Sequence, residues 1–558
     1  MKYPSISKRC LTMLGAIFYV ANTLWAFATM GVAWQYLKRE RLSARLFSAI
    51  RHNVGQFNPQ GIANALWALA TMGMGWRYLK EQRLSERLLV AIRHTLEGFN
   101  SQDIANTFWA LATMGVRWRY LERQSLSERL LTAVRRNVEQ FNAQEIANAL
   151  WALATMEVRW RYLEEQRASE RLLVAIRHTI ESFNSQDIAN TLWALATIGV
   201  KWQDREIQRL SGRLVVAVRR NIECFNSQNV ANTLWAFATM GAGWRYLQEQ
   251  RLSECMLVIV QRTVERFNPQ GIANTLWAFA TMGVRWRYLE EQRLSSCLLV
   301  AVRHNAERFN SQDIANTLWA FATTGVRWQD REMQKLSERL LAAVRHNIEQ
   351  FNPQEIANTL WALATMEVEW QYLEDQGLSH LLTDVIDRNA SQFSLENCTQ
   401  ITWSTCWFDI RAPAEVVLKV STRNPPRSSH LHKWVLSVLT AQAPEEIIKS
   451  EFLIKNCLYV DIYIPRKNLV IEVDGPYHTP AKDEFKERLL RKWGYAVERI
   501  SYLDGDKIEE RINALVDHYH LKHSSVEGCR FLGRLEERTS EDEKNSPFKR
   551  HCRVVHRG

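Results

Sequence analysis

The stretch "FNSQDIANTLWALATIG", residues 183–199, decides the fold. Ile188, Leu192, Trp193, Leu195, Ala196 and Ile198 fall three and four residues apart, the spacing of one apolar helix face and not the alternation of a strand. Asn184 is placed to cap, Ser185 stands at the first helical position, and Asp187 lies in the first turn, where the helix dipole favours an acid. Gly199 closes the phrase as a C-cap. The same phrase returns with its tryptophan at Trp25, Trp67, Trp109, Trp151, Trp193, Trp235, Trp277, Trp319, Trp361 and, degenerate, Trp403, each step being 42 residues. A second tryptophan follows nine residues after the first, from Trp34 to Trp370, and the two series supply most of the 22 tryptophans. A fixed period of this length is the signature of a solenoid.

Each unit reads as two helices. The second begins at phrases such as "LSERLLVAIRH", residues 84–94, with a capping serine recurring from Ser43 to Ser379 and an apolar side made, in that copy, by Leu88, Leu89, Ala91 and Ile92. One hairpin of this kind leaves its apolar face uncovered, and stacking on its neighbours covers it. The Trp and Leu positions are therefore read as mostly core. The terminal glycine (Gly31, Gly73, Gly115, Gly199, Gly241, Gly283, Gly325) becomes Glu157 and Glu367 in two units, so those two helices are expected to run on. The expected fold is mainly α: a solenoid of 42-residue helical hairpins over residues 16–420, followed by a small α/β domain.

The chain carries 71 Lys and Arg against 60 Asp and Glu, a formal charge of +11, which favours polyanionic partners, RNA or DNA first. The nine cysteines show no C-x-x-C pair and no zinc spacing, so they read as reduced thiols of an intracellular protein. The apolar N-terminal run "LTMLGAIFYVANTLWAFATMGVAW", residues 11–34, looks like a signal or a membrane span. Its second half keeps the register of the other units, so it reads as the first repeat, with residues 1–15 a short leading segment and no membrane insertion expected.

Differences between copies separate scaffold from message. The series Asn22, Asn64, Asn106, Asn148, Asn190, Asn232, Asn274, Asn316 and Asn358 never changes; it could bond every base alike or link neighbouring backbones as a ladder. Near the start of the first helix the residue does change: Gly61, Asp103, Glu145, Asp187, Asn229, Gly271, Asp313, Glu355. Short groups changing unit by unit are what a one-base-per-repeat reader of single-stranded RNA uses; solvated helix ends that drift freely would look the same. The second helix carries basic residues at Arg93, Arg135, Arg177, Arg219, Arg303 and Arg345, a stripe suited to a phosphodiester backbone or simply a solvated face.

The phrase "FNPQGIANTLWAFATMG", residues 267–283, resembles the repeat of octotricopeptide-type proteins, over residues 16–393 or so. That resemblance implies binding of single-stranded organellar RNA, hence a mitochondrial or plastid location in a eukaryote, and work in the processing, stability or translation of specific transcripts.

A linker and helix occupy residues 421–448, and the sequence then changes. "CLYVDIYIP" (457–465), "NLVIEVDG" (468–475) and "YAVERISY" (495–502) read as strands, with a basic helix over 483–493 and a last helix over 507–520. Asp461, Glu472 and Asp474 sit on adjacent strands and could hold Mg²⁺ for phosphodiester cleavage, or could form a hydrogen-bond cluster at a strand edge. Arg488 and Lys492 on the basic helix could grip phosphates. Residues 449–523 resemble the RAP domain, an RNA-binding domain abundant in apicomplexans and related to restriction-type endonucleases. The resemblance implies that Asp461 matches the first metal-binding acid and Glu472 the second. Asp474 stands where the nucleases place lysine, so a lysine from the helix, Lys486, would have to substitute. His478 follows the turn and joins the RNA-binding set. RNA binding needs no cofactor; cleavage would need Mg²⁺. The charged, aperiodic residues 524–558 read as a disordered tail. Three functions compete: an RNA binder without catalysis, a metal-dependent endoribonuclease, and a scaffold for protein partners.

Overall fold

A computed structural model describes residues 17–475 and 480–521. The leading segment 1–15, His478 and the tail 524–558 lie outside the described residues. The described residues divide into two compact units: 17–426 with 452–460 and 480–497, and 427–451 with 461–475 and 498–521.

The first unit is the helical array, and its repeat has three helical segments where the sequence suggested two. In one copy these are Ser101–Thr113, the six-residue helix Trp118–Arg123, and Ser127–Asn137, which ends in a single 3₁₀ turn at Val138–Gln140. The break between the short and the last helix falls on a left-handed residue, Ser125 with φ 52°, matched by Arg41, Arg83, Arg167, Arg251, Arg293 and Gly377 in other copies. The serine after the break does not cap. Leu126 holds the N-cap position, no side chain bonds the first turn, and Ser127 is already helical. Two copies lack the break: Arg205–Asn221 and Arg331–Asn347 are single helices of 17 residues.

The first helices pack against one another along the array, presenting the leucines and alanines of the repeated phrase inward; Leu66, Leu111 and Leu150 are fully buried. The second tryptophan series joins the core, with Trp34, Trp118 and Trp202 buried. The first series does so only at its end: Trp361 and Trp403 are buried, Trp67 through Trp319 are half-buried, and Trp25 is 47% exposed. Every terminal glycine of the phrase adopts positive φ, between 69° at Gly31 and 97° at Gly199. Glu157 and Glu367 do the same, at φ 67° and 63°, so their helices stop at Thr155 and Thr365 and do not run on. A left-handed non-glycine residue is strained by roughly 1 kcal/mol. Both glutamates have an ionic partner at that point, Arg117 for Glu157 at 3.0 Å and Arg488 for Glu367.

Neighbouring repeats are also joined through backbone. The N–H of Trp76 donates to Met114 O at 2.8 Å, Trp118 to Met156 O at 3.1 Å, and Trp160 to Ile198 O at 2.7 Å. These bonds satisfy carbonyls at helix C-termini that have no partner within their own helix.

In the C-terminal region, strands β1 (Lys449–Ile454), β2 (Leu458–Ile464), β3 (Leu469–Asp474) and β4 (Ala496–Ser501) form one sheet in that order. β2 and β3 are antiparallel, with Ile462 opposite Ile471 and Ile464 opposite Leu469. The expected strands and helices are present, and β1 and the helix His430–Gln442 add to them. In the second unit the helix His430–Gln442 packs on β3 and on the helix Ile508–His518. The basic helix, Pro480–Lys492, belongs to the first unit.

Candidate nucleic-acid interface

The arginine stripe has a structural occupation. Arg93 donates to Gln124 O at 2.7 Å, Arg135 to Gln166 O at 2.6 Å, Arg219 to Gln250 O at 3.5 Å, and Arg345 to Gln376 O. Each acceptor lies 31 residues on, at the C-terminal end of the next repeat's short helix, where the helix dipole attracts a cation. The stripe is thus a row of staples between repeats, a correction to its reading as a solvated phosphate track. A second arginine row works in the opposite direction: Arg87, Arg171, Arg213 and Arg339 donate to the carbonyls of Arg51, Arg135, Arg177 and Arg303. Arg177 and Arg303 face the two unbroken helices, where Gln208 and Gln334 lie inside a helix and no staple forms. There the carbonyl points along its own helix axis, and the buried Nε of Arg177 has no hydrogen-bond partner among the described residues.

The changing residues near the helix start are likewise committed. Asp103, Glu145, Asp187, Asn229, Asp313 and Glu355 each complete a capping box with the asparagine three residues before. Asp103 accepts from Asn100 N at 3.2 Å while Asn100 Oδ1 accepts from Asp103 N at 2.8 Å. Asp103, Asp187, Asn229, Asp313 and Glu355 are buried. Burial raises the carboxyl pKa of Asp103, Asp187 and Asp313, opposed in each by the hydrogen bond from the capping backbone. Each of these side chains is engaged at its helix start, and all but Glu145 are withdrawn from solvent. Where glycine stands instead, space opens. A cleft of about 410 Å³ is lined by Asn22, Asn58, Gln60, Gly61 and Asn64. Another of about 190 Å³ is lined by Asn232, Asn268, Gln270, Gly271 and Asn274.

What the array leaves open is the constant part of the phrase. In one copy Gln102 and Thr113 are exposed, and Asn106 and Trp109 between them are half-buried. These positions, separated by four, three and four residues, form one stripe down the first helix. The asparagine ladder linking backbones is not present. Among the described residues the amides of Asn64, Asn106, Asn148, Asn190, Asn232, Asn274 and Asn316 make no hydrogen bond, and only Asn358 accepts one, from Gln400 Nε2 at 3.2 Å. At one step two rungs approach closely, with the rings of Trp67 and Trp109 centred 6.4 Å apart. A half-buried amide with free donors and acceptors beside an aromatic face, once per repeat, is a polar and stacking surface without charge. The invariance of the phrase in the sequence already marked this stripe; its exposure could not be read because Trp and Leu share the same apolar spacing.

The basic helix covers the last rungs. Phe485 is fully buried, with Trp361 and Trp407 at centroid distances of 6.4 and 5.7 Å. Arg488 bonds Glu367 and Thr365 O, and Lys492 bonds Trp407 O and, at 2.8 Å, Asp409. Both cations assigned to phosphate are therefore engaged within the array.

In the second unit Asp461 Oδ2 accepts from Val473 N at 2.7 Å. The β2–β3 register carries Asp461 to a place opposite Glu472, which is buried. Asp474 is held by Arg499, whose Nε lies 2.8 Å from Asp474 Oδ2 and whose second nitrogen binds the other oxygen. With both its oxygens taken by a guanidinium, Asp474 does not fit a three-carboxylate Mg²⁺ site. Lys486 belongs to the other compact unit. The group that gathers around Asp461 is different: His432 Nδ1 lies 3.2 Å from Glu451 Oε1 and 4.0 Å from Asp461 Oδ1, and its Nε2 lies 3.1 Å from Ser450 Oγ. The ligand atoms of His432, Glu451 and Asp461 lie within 4.8 Å of one another, an arrangement that suits an ion-paired network or a divalent cation. His432 and Glu451 carried no sequence signal, since β1 and its preceding helix lie outside any recognisable motif.

Residues 30–66, 72–108, 114–150, 156–192, 198–234, 240–276, 282–318, 324–360 and 366–401 each match the profile of a family described as a protein of unknown function, DUF1601. Together these stretches span more than half of the chain. No curated protein matches it.

Proposed function

This chain belongs to the DUF1601 repeat family, and we propose, from the geometry of its first helices, that it is an RNA-binding protein in which those helices track a single strand. In this reading each repeat offers one base a tryptophan face to stack on and an asparagine amide to bond. Identical rungs make the grip tolerant of sequence, in contrast to a reader with changing letters. The C-terminal region is, in the same reading, a RAP-like module, the array an octotricopeptide-like one, and the protein acts on the processing, stability or translation of its transcripts. The observation that carries the proposal is the row of half-buried asparagine amides from Asn64 to Asn316, without a hydrogen bond among the described residues and each beside a half-buried tryptophan. Base stacking on an aromatic residue contributes about 1–3 kcal/mol per base and does not depend on which base it is. Hydrolysis is not part of the proposal, because Arg499 holds Asp474, one of the three carboxylates expected for Mg²⁺.

The test is fluorescence anisotropy of a labelled single-stranded RNA titrated with the wild-type protein and with two triple variants, Asn106→Ala/Asn148→Ala/Asn190→Ala and Trp109→Ala/Trp151→Ala/Trp193→Ala. Both are expected to lose roughly a hundredfold in affinity or more, at near-constant helicity. Affinity unchanged in both would remove RNA from this stripe. A second reading, docking of an amphipathic peptide, is favoured by the way Phe485 seats on Trp361 and Trp407. It predicts that RNA binding is weak in the wild type and indifferent to either triple variant.

A further inference from the structure

The last rung differs from the rest, and with the two before it encloses a cavity. Repeating the stripe by 42 residues puts Glu396 at the glutamine position, Gln400 at the asparagine position, Trp403 at the tryptophan position and Trp407 at the threonine position. Gln400 is tied to Asn358, closing the amide row. Between these rungs lies a cavity of about 550 Å³ with walls formed by Trp319, Trp361 and Trp403 and with Glu396, Arg423 and Lys482 as its charged groups. That volume falls within the ~300–1,000 Å³ typical of small-molecule sites. The cavity lies wholly within the first unit.

We infer that this cavity binds a single guanine nucleotide, the end residue of a strand lying along the stripe. The inference rests on the reading above for its biological meaning, though not for its test. Arg423 is oriented but not neutralised: one nitrogen reaches Thr399 Oγ1 at 3.4 Å, its guanidinium stacks on Tyr459 at 4.7 Å, and its buried Nε has no partner among the described residues. Lys482 stands 5.6 Å over the Trp403 ring and makes no ion pair among the described residues. Two cations without carboxylate partners beside three indoles suit a phosphate attached to a flat ring. The one acid, Glu396, is exposed on the first turn of the helix Leu395–Phe408. A carboxylate only accepts, so it favours a base edge with adjacent donors, and guanine offers N1–H and an N2 amino group together.

The experiment is isothermal titration of the full chain with GMP, UMP and inorganic phosphate, repeated with Lys482→Gln, Arg423→Gln and Glu396→Gln. GMP is expected to bind saturably and more tightly than either alternative. Lys482→Gln and Arg423→Gln should each weaken GMP roughly tenfold, and Glu396→Gln should bring GMP to the level of UMP. Lys482 and Glu396 are exposed, so their variants keep the fold even if Arg423→Gln does not. No saturable GMP binding, or phosphate binding as tightly as GMP, overturns the assignment. Long RNA bound without GMP binding leaves the stripe standing and removes the cavity; GMP bound without long RNA does the reverse.

Discussion

Replacing Arg93 by methionine keeps the aliphatic stem and removes the staple to Gln124 O. A hydrogen bond with one charged partner contributes about 1.5–3 kcal/mol when buried. Arg93 is half-buried, so water recovers part of that, while the acceptor's place at a helix C-terminus adds roughly 0.3–1 kcal/mol. The expected loss is about 1.5 kcal/mol for Arg93→Met, with a similar loss for Arg135→Met, because stacked repeats add nearest-neighbour terms. The chain contains its own controls. Arg177 and Arg303 stand at the equivalent position but face unbroken helices, and each should lose less than about 0.5 kcal/mol as methionine. Urea unfolding followed by far-UV circular dichroism measures all four. If Arg177→Met and Arg303→Met destabilise as much as Arg93→Met and Arg135→Met, the arginines act through packing or general charge, and the staple is wrong.

Further outcomes follow from other contacts. For Asp103, Asp187 and Asp313 the folded pKa lies above the unfolded one, so their contribution is fully present below the ordinary aspartate range and is lost as pH rises through the raised value. Changing all three to asparagine, the residue already serving as Asn229, should flatten the pH dependence of stability in the acid limb; an acid limb as steep as the wild type's would contradict this. Phe485→Ala removes a fully buried ring and should destabilise by about 3–5 kcal/mol, read as early hydrogen exchange in the helix Pro480–Lys492; slow exchange there would refute its anchoring role. His432→Ala removes a buried ring that bonds Ser450 Oγ and lies against Glu451, and should destabilise by about 1–3 kcal/mol, while chelating divalent metal should leave the wild type's stability unchanged; a drop on chelation would reveal a metal at His432.

The solenoid was legible because one phrase, repeated without insertion, reports its own helix period many times over. The Trp118–Arg123 helix was missed for a physical reason. Six residues carry too little periodicity to stand out, and the left-handed residue that ends it is arginine or serine in most copies, not glycine. The arginine stripe was visible as residues but not as bonds, since the acceptor is a backbone carbonyl 31 positions away and a carbonyl leaves no mark on sequence. Asp103 shows the same limit: a capping acid and a base-reading acid are one letter. Glu157 and Glu367 misled because a glutamate extends helices by propensity, whereas here an arginine partner accompanies each in the left-handed turn. In the C-terminal strands the acids were found, but Arg499, which engages Asp474, read only as a strand residue, and His432, which approaches Asp461, came from a segment with no motif.

The two unbroken helices, Arg205–Asn221 and Arg331–Asn347, interrupt the staples at regular places. Those junctions are instead held from the far side, by Arg213, Arg220 and Asn221 at the first and by Arg339 and Asn347 at the second, all donating back to the preceding repeat. Under tension along the array they should therefore yield with a stiffness of their own, dividing the rod into blocks that respond as units.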